Sequence, residues 1–255
     1  MERKLTAFKR LLEIMDDLRA ECPWDKKQTI ESLRYLTLEE TYELSDAIIK
    51  KDMSGIKEEL GDLMLHLVFY SKIASEKNQF DIADVLNTIC DKLVRRHPHI
   101  YSDVVVKDEE DVKNNWEKIK LGEKGHESVL SGVPESMPPL VKAVRIQEKA
   151  RGAGFDWEKT SQVWDKVVEE KDELLKEVKE NSGKKEDEFG DLMFALINYA
   201  RFIDVNPEDA LEKSNRKFIK RFHYIEEKAK SMNKSLRDMT LAEMDALWNE
   251  AKKTE

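Results

Sequence analysis

Residues 39–62 read EETYELSDAIIKKDMSGIKEELGD, and this stretch predicts a helical hairpin with acidic residues on both arms. Residues three apart in a helix lie on one face, so Glu40 and Glu43 share a face, as do Glu59 and Asp62. Positions 40 and 62 have the same midpoint as positions 43 and 59. A bend at that midpoint would set Glu43 opposite Glu59 and Glu40 opposite Asp62, with four carboxylates around one small space.

Four carboxylates in one space need a cation or protons to relieve their repulsion. Two carboxylates about 4 Å apart repel by roughly 4 kcal/mol at an effective dielectric constant near 20. Oxygen ligands suit a hard cation such as Mg²⁺, which commonly keeps waters and takes substrate phosphates as further ligands. For a single copy of the pattern, a solvated acidic helix face is the simpler interpretation.

The pattern occurs a second time, and the repetition favours a metal site. Residues 169–173 read EEKDE and residues 188–191 read EFGD, and positions 170 and 191 again share a midpoint with positions 173 and 188. Turn residues Asn181-Ser182-Gly183 follow that midpoint. The tetrapeptide Gly-Asp-Leu-Met occupies residues 61–64 and 190–193. Because the register of the acids, the turn and the Gly-Asp-Leu-Met tetrapeptide repeat together, the sequence predicts two metal sites.

A glycine lies in mid-helix just before the aspartate in both copies, at Gly61 and Gly190. Glycine in a helix interior costs about 1 kcal/mol relative to alanine. We therefore expect both glycines to permit the close approach of a neighbouring helix or a ligand.

Length and composition indicate a helical chain with one large domain or two small ones. The 255 residues include only six prolines and nine glycines, and 38% of the residues are charged. The net charge is −9 and no long basic run is present, so we expect no nucleic-acid partner, although nucleotides carried with Mg²⁺ fit an acidic protein. Nucleotides carried with Mg²⁺ thus stay possible partners, because the metal offsets the acidity.

Cysteine content and hydropathy predict a cytoplasmic protein. Cys22 and Cys90 are the two cysteines, and their spacing suits neither a metal site nor a disulfide framework. No apolar run approaches the roughly 18 residues of a membrane span. The N-terminus leads into an amphipathic helix pattern rather than an apolar signal region. We therefore expect no membrane contact.

A basic cluster follows each acidic pattern. Residues 92–99 read KLVRRHPH, and residues 217–223 read KFIKRFH. Arginine suits phosphate because its guanidinium offers two parallel hydrogen bonds. Charge complementing a helix C-terminus explains the clusters equally well. Asn215 of the second copy corresponds to Cys90 of the first, so the two predicted sites are not identical.

Aromatic residues supply candidate base contacts. Each copy ends with a tryptophan four residues before a lysine, Trp116 with Lys120 and Trp248 with Lys252. Such a pair could hold a base and a phosphate, or the lysine could extend over a packed tryptophan. Trp24 could stack on a nucleobase or close the end of a helix bundle.

The segment from residue 122 to 140 separates the two copies. It holds three of the nine glycines and three of the six prolines. We predict a first domain at 1–121, a linker at 122–139 and a second domain at 140–255. The predicted fold class is all-α, with two tandem helical-bundle domains.

The whole set of motifs resembles the MazG family of nucleoside triphosphate pyrophosphohydrolases. Further matching motifs are CPWD at 22–25, LVRRHPH at 93–99, GVPESMPPL at 132–140 and GAGFDW at 152–157. The resemblance implies the all-α NTP pyrophosphatase fold, with bundles completed by homodimerisation. It also implies cleavage of NTPs or dNTPs between the α and β phosphates, to NMP and pyrophosphate, with Mg²⁺ and with Mn²⁺ as a possible substitute.

The resemblance also implies roles for individual residues. Glu39 and Glu169 would orient the attacking water or act as its base. The metal ligands would be Glu40, Glu43, Glu59, Asp62, Glu170, Glu173, Glu188 and Asp191. The substrate contacts would be Lys92, Arg95, Arg96, Trp116, Lys120, Asn215, Lys217, Lys220, Arg221, Trp248 and Lys252.

Other functions stay open at this point. One is a narrower enzyme, such as a dUTP, dCTP or phosphoribosyl-ATP pyrophosphohydrolase. Another is a non-catalytic nucleotide-sensing module whose acids hold a structural Mg²⁺. Both domains keep every acid, so the sequence does not show which of them is active. Removal of aberrant nucleotides, or lowering of nucleotide pools under stress, is a hypothesis for the physiological role. No P-loop is present, which argues against a P-loop ATPase.

Overall fold

A computed structural model describes residues 1–109, 128–180 and 182–253, together with residues 111, 112, 115, 116 and 119. Within these residues every regular element is helical and no strand occurs, which confirms the all-α prediction. The chain divides into two compact units at residues 1–109 and 110–255. The domain boundaries at 121 and 139 stay a prediction, and residues 120–127 lie outside the described residues.

The first unit is built from three long helices, one shorter helix and two short helical turns. They are α1 (Glu2–Glu21), a 3₁₀ turn (Asp25–Lys27), α2 (Ile30–Lys50), α3 (Met53–Glu76), α4 (Ile82–Arg96) and α5 (Pro98–Tyr101). Thr29 begins α2 with a capping box, in which its side chain and that of Ser32 each accept a hydrogen bond from the other residue's backbone N–H. Asp81 and Asp84 begin α4 in the same way.

The core of the first unit lies among α1, α2 and α3. Its buried residues are Met15, Leu33, Val68, Phe69 and Ile73, each 1–2% exposed. Full burial of one such side chain contributes about 1.5–3 kcal/mol to the free energy of unfolding. This packing fixes α2 against α3, the two helices that carry the acidic pattern.

The second unit has the same kind of architecture. From residue 128 onward its described elements are α6 (Pro139–Gly152), α7 (Thr160–Glu180), α8 (Lys185–Phe202), α9 (Pro207–Ser231), a 3₁₀ turn (Leu236–Asp238) and α10 (Leu241–Lys253). Val163 and Val167 of α7 and Ile197 of α8 are buried. Gln147 of α6 donates a hydrogen bond to the carbonyl of Phe194 in α8, at 2.9 Å. No helix in the described part of the chain is long and apolar enough to cross a membrane.

Both predicted helical hairpins form, and each has a turn that its sequence explains. In the first, Lys51 adopts the left-handed conformation (φ 58°), and the Asp52 side chain then accepts a hydrogen bond from Ser54 N–H at the start of α3. In the second, Gly183 lies between α7 and α8 with a φ of 96°, a conformation that glycine adopts readily. The α2–α3 and α7–α8 hairpins therefore place both halves of each acidic pattern side by side.

Candidate metal and nucleotide site

Three glutamates of the first hairpin form an acidic cluster. Glu40 and Glu43 project from α2 and Glu59 from α3, and one carboxylate oxygen from each lies within 4.8 Å of the others. Asp62 lies outside this group of oxygens, but its charge still acts on Glu40 and Glu59. The structure thus brings together both arms of the pattern, with three of the four predicted ligands in one tight group.

Two carboxyls of the first cluster have raised pKa values. Burial raises the pKa of Glu40, and the charges of Asp62 and Glu43 raise it further. Burial also raises the pKa of Glu59, followed by the charges of Glu43 and Glu40. A hydrogen bond with Glu59 partly offsets the rise in the pKa of Glu40. Carboxylate oxygens in this arrangement fit a hard divalent cation.

The second hairpin repeats this geometry. Glu170 and Glu173 of α7 and Glu188 of α8 each place a carboxylate oxygen within 4.8 Å of the others. Burial raises the pKa of Glu188, and the charges of Glu173 and Asp191 add to the rise. Asp191 lies outside the tight group, like Asp62 in the first hairpin. These residues also fit a hard cation.

A lysine distinguishes the second cluster from the first. The Lys166 ammonium lies 2.7 Å from a carboxylate oxygen of Glu170 and 2.9 Å from one of Glu169. Hydrogen bonds to these two carboxylates raise the pKa of Lys166. Sequence reasoning missed Lys166, although its position four residues before Glu170 places both on one helix face.

The two candidate bases lie next to the clusters in different surroundings. Glu39 is exposed at the surface of α2 and its charge raises the pKa of Glu40. Glu169 is held by Lys166. Among the described residues, no lysine or arginine forms an ion pair with Glu39 or Glu40. The catalytic role of both glutamates stays a prediction.

The predicted phosphate contacts lie on other helices. Lys92, Arg95 and Arg96 form the last part of α4, where Arg96 is buried and Arg95 exposed. In the described chain, none of them forms an ion pair with a carboxylate of the first cluster. Their counterparts on α9 and α10 are exposed or half-buried: Asn215, Lys217, Lys220, Arg221 and Lys252. The substrate-binding role of these residues stays a prediction.

Trp248 packs within the second unit, as one of the two interpretations of its motif requires. Its ring centroid lies 5.1 Å from that of Phe218, and the Arg221 guanidinium lies 5.3 Å from the Trp248 ring centroid. Trp116 is half-buried, and Lys120 lies outside the described residues. The Arg221–Trp248 pair nevertheless offers a cation and an aromatic face side by side.

Comparison with known protein families agrees with these features. The family model of the MazG nucleotide pyrophosphohydrolase domain matches residues 28–101 and 159–225, which contain both acidic clusters. The chain belongs to the MazG family. The nucleoside triphosphate pyrophosphohydrolase of Escherichia coli K12 is 40% identical to it, over 96% of this chain and 97% of that protein.

Two further MazG relatives cover almost the whole chain. The nucleoside triphosphate pyrophosphohydrolase/pyrophosphatase MazG of Thermotoga maritima is 42% identical over 96% of this chain and 95% of its own length. The uncharacterized protein YabN of Bacillus subtilis is 48% identical over 97% of this chain, which spans 52% of YabN. The resemblance drawn from the sequence motifs is therefore confirmed at the level of the family.

Trp24 lies at the other end of the first unit from the first cluster. Arg19 donates a hydrogen bond to the carbonyl of Asp25 and forms an ion pair of 2.5 Å with Glu76, at the end of α3. Glu76 is seventeen residues beyond Glu59 in α3, about 25 Å at 1.5 Å per residue. Trp24 is 56% exposed there. Base stacking by Trp24 at the cluster of its own unit is therefore not supported.

Proposed function

We propose that this protein is a metal-dependent nucleoside triphosphate pyrophosphohydrolase that cleaves between the α and β phosphates, giving NMP and pyrophosphate. The main structural support is the pair of acidic clusters, each with carboxylates from both arms of a helical hairpin. Two relatives that match nearly the full chain carry the name of this activity. Clustered carboxylates bind divalent metals such as Mg²⁺, and Mn²⁺ is a possible substitute.

The residues of each cluster have separate roles in this proposal. Glu40, Glu43 and Glu59 hold the metal in the first unit, with Asp62 beside them. A bound metal ion polarises the phosphate and lowers the pKa of a coordinated water. Glu39 orients the attacking water and accepts its proton.

The second cluster is proposed to work in the same way. Glu170, Glu173 and Glu188, with Asp191, are its metal-holding residues, and Glu169 is its proton acceptor. Basic side chains bind the phosphates in both units, those of α4 in the first and those of α9 in the second. They also stabilise the charge that develops on the leaving pyrophosphate.

An exposed apolar stripe supports the proposed homodimer. Leu60, Met64 and Leu67 lie on one face of α3 and are 41–53% exposed. Phe189, Met193 and Leu196 occupy the matching register of α8 and are 41–54% exposed. Large apolar side chains that recur on one helix face indicate a surface that another molecule covers. We propose that a second copy of the chain covers this surface in a homodimer, and analytical ultracentrifugation measures the oligomeric state. We also propose that the protein acts in the cytoplasm on aberrant or excess nucleotides.

The decisive experiment is pyrophosphate release from a panel of NTPs and dNTPs, with and without Mg²⁺, by wild type and by the double variant E43Q/E173Q. We expect release from several nucleotides by wild type and loss of at least about 100-fold in the double variant, since metal contacts supply several kcal/mol of transition-state stabilisation. Activity on dUTP, dCTP or phosphoribosyl-ATP alone would indicate the narrower enzyme. Nucleotide binding without pyrophosphate release would indicate a sensing module instead.

A further inference from the structure

The Lys166 ion pair is positioned like a counter-ion of the second cluster. Lys166 lies one helical turn before Glu170 on α7, between the buried residues Val163 and Val167. Its side chain is 36% exposed, whereas that of Glu170 is 9% exposed. Its ammonium contacts one of the three carboxylates grouped in the cluster and the adjacent candidate base Glu169.

The first cluster has no such group. Glu170 and Glu40 correspond in the repeat, so Leu36 holds the register position of Lys166. Leu36 packs against the hydrophobic core of the first unit. Within the described ranges, no lysine or arginine forms an ion pair with Glu40, Glu43 or Glu59. Two clusters with the same carboxylates therefore differ by one positive charge.

We propose that Lys166 is an internal counter-ion that competes with divalent metal for Glu170, so that the two clusters bind metal with different affinity. This inference rests on the proposed function, because it assumes that both clusters are metal sites. The least exposed carboxylate of the second cluster becomes a metal ligand only when its contact with Lys166 is broken. The first cluster binds divalent metal more tightly, since a leucine replaces the competing ammonium there.

Lys166 also affects Glu169 through the same pair of contacts. The ammonium holds Glu169 and Glu170 together, and these neighbouring glutamates have the proposed roles of base and metal ligand. Lys166 is thus a positioning residue of the second cluster, which acts through these two carboxylates.

Direct measurement of Mn²⁺ binding by electron paramagnetic resonance, without nucleotide, tests the inference on the full chain. E43Q weakens the first cluster, so that the titration reports mainly on the second. In that background, K166M should tighten Mn²⁺ binding about tenfold, which is 1.4 kcal/mol. K166R keeps the charge and should leave the affinity near that of E43Q. Unchanged or weaker Mn²⁺ binding in K166M would overturn the proposal.

The chain offers a matched control. Lys171 lies on the same helix and pairs with Asp172 at 3.0 Å, one residue along the chain and outside the cluster. K171M removes the same net charge from α7 and should leave Mn²⁺ affinity unchanged. If K171M and K166M tightened Mn²⁺ binding to a similar extent, net charge alone would account for the effect. That result would contradict a specific role for Lys166.

The reciprocal substitution tests the first cluster. In the E173Q background, L36K should weaken Mn²⁺ binding, whereas L36M should not. Circular dichroism and a melting curve establish that both variants fold. If L36K does not fold, K166M and K171M still decide the question. Absence of Mn²⁺ binding in wild type and in every variant would instead refute the metal sites, and with them the proposed function.

Discussion

The two acidic clusters have the same carboxylates in the same register, yet different electrostatic surroundings. In the first, burial and neighbouring acids raise the pKa of Glu40 and Glu59, and in the described chain no lysine or arginine forms an ion pair with either. In the second, Lys166 pairs with Glu170. A duplicated motif thus fixes the donor atoms of a site, but one neighbouring residue changes the charge around them.

Activity of the single variants is the strongest test of this comparison. We expect E43Q and E173Q each to retain part of the pyrophosphate release, because each leaves one cluster intact. E173Q, which keeps the first cluster, should need less Mg²⁺ for half-maximal activity than E43Q. Pyrophosphate release measured across a Mg²⁺ titration gives both values. Full activity in one variant and none in the other would show that a single cluster is catalytic.

Removal of Lys166 should have the largest effect on stability. K166M leaves the buried Glu170 without its cation, and we expect it to lower the free energy of unfolding by about 1 kcal/mol in the absence of metal. Urea denaturation measures the change. K171M provides the control, because its exposed pair with Asp172 should contribute much less. Equal stability of wild type and K166M would show that the ion pair is too weak to distinguish the clusters.

Replacement of the mid-helix glycines by alanine should raise the free energy of unfolding in both units. No described atom lies within 4 Å of a Cβ built at Gly61 or Gly190, beyond the immediate neighbours and the backbone of the glycine's own helix. We therefore expect G61A and G190A each to raise the free energy of unfolding by about 0.5–1 kcal/mol. If the glycines serve the approach of a nucleotide or a second subunit, the variants will be more stable but less active. A loss of stability would show that the helix does not tolerate alanine there.

The smallest expected effect is a pH-dependent increase in stability in the variant E40Q. The pKa of Glu40 is raised above its ordinary value of 4.5. The folded protein therefore binds this proton more tightly than the unfolded chain, and the stability that depends on Glu40 falls as pH rises from about 4.5 through the raised pKa. E40Q should raise the free energy of unfolding by about 0.5 kcal/mol at neutral pH without metal, and should change it very little below pH 4.5.

Melting curves of wild type and E40Q across this pH range check the prediction. Burial lowers the pKa of His66 in α3, which contributes its own pH dependence to stability. His66 is present in both proteins, so its contribution largely cancels in the difference. A gain from E40Q that is constant with pH would contradict the assignment to proton binding.

The helical framework was predictable because its signals are local. Capping residues at Thr29 and Asp52, and the turn at Gly183, fix helix ends without help from distant parts of the chain. The shared midpoints of the acidic pairs then predicted that carboxylates of both helical arms meet. The midpoints did not predict that Asp62 and Asp191 lie outside the tight groups of three.

The parts that were not predicted depend on side-chain conformation. Lys166 shares a helix face with Glu170, but many lysines do so without forming an ion pair, and only its rotamer brings the ammonium to both glutamates. Trp24 faces solvent at the far end of the first unit because Arg19 fixes its loop to Glu76. That contact spans 57 residues and has no local sequence signal.

The turn at Lys51 has a consequence for the dynamics of the first unit. Each cluster takes its carboxylates from two consecutive helices joined by a turn. In the first unit, separation of α2 from α3 therefore also disperses the three carboxylate oxygens of the cluster. A ligand that bridges the arms would suppress that opening in proportion to its occupancy. Amide hydrogen exchange along each hairpin would then report the occupancy of its own cluster, so that two sites in one chain can be followed separately without a spectroscopic label.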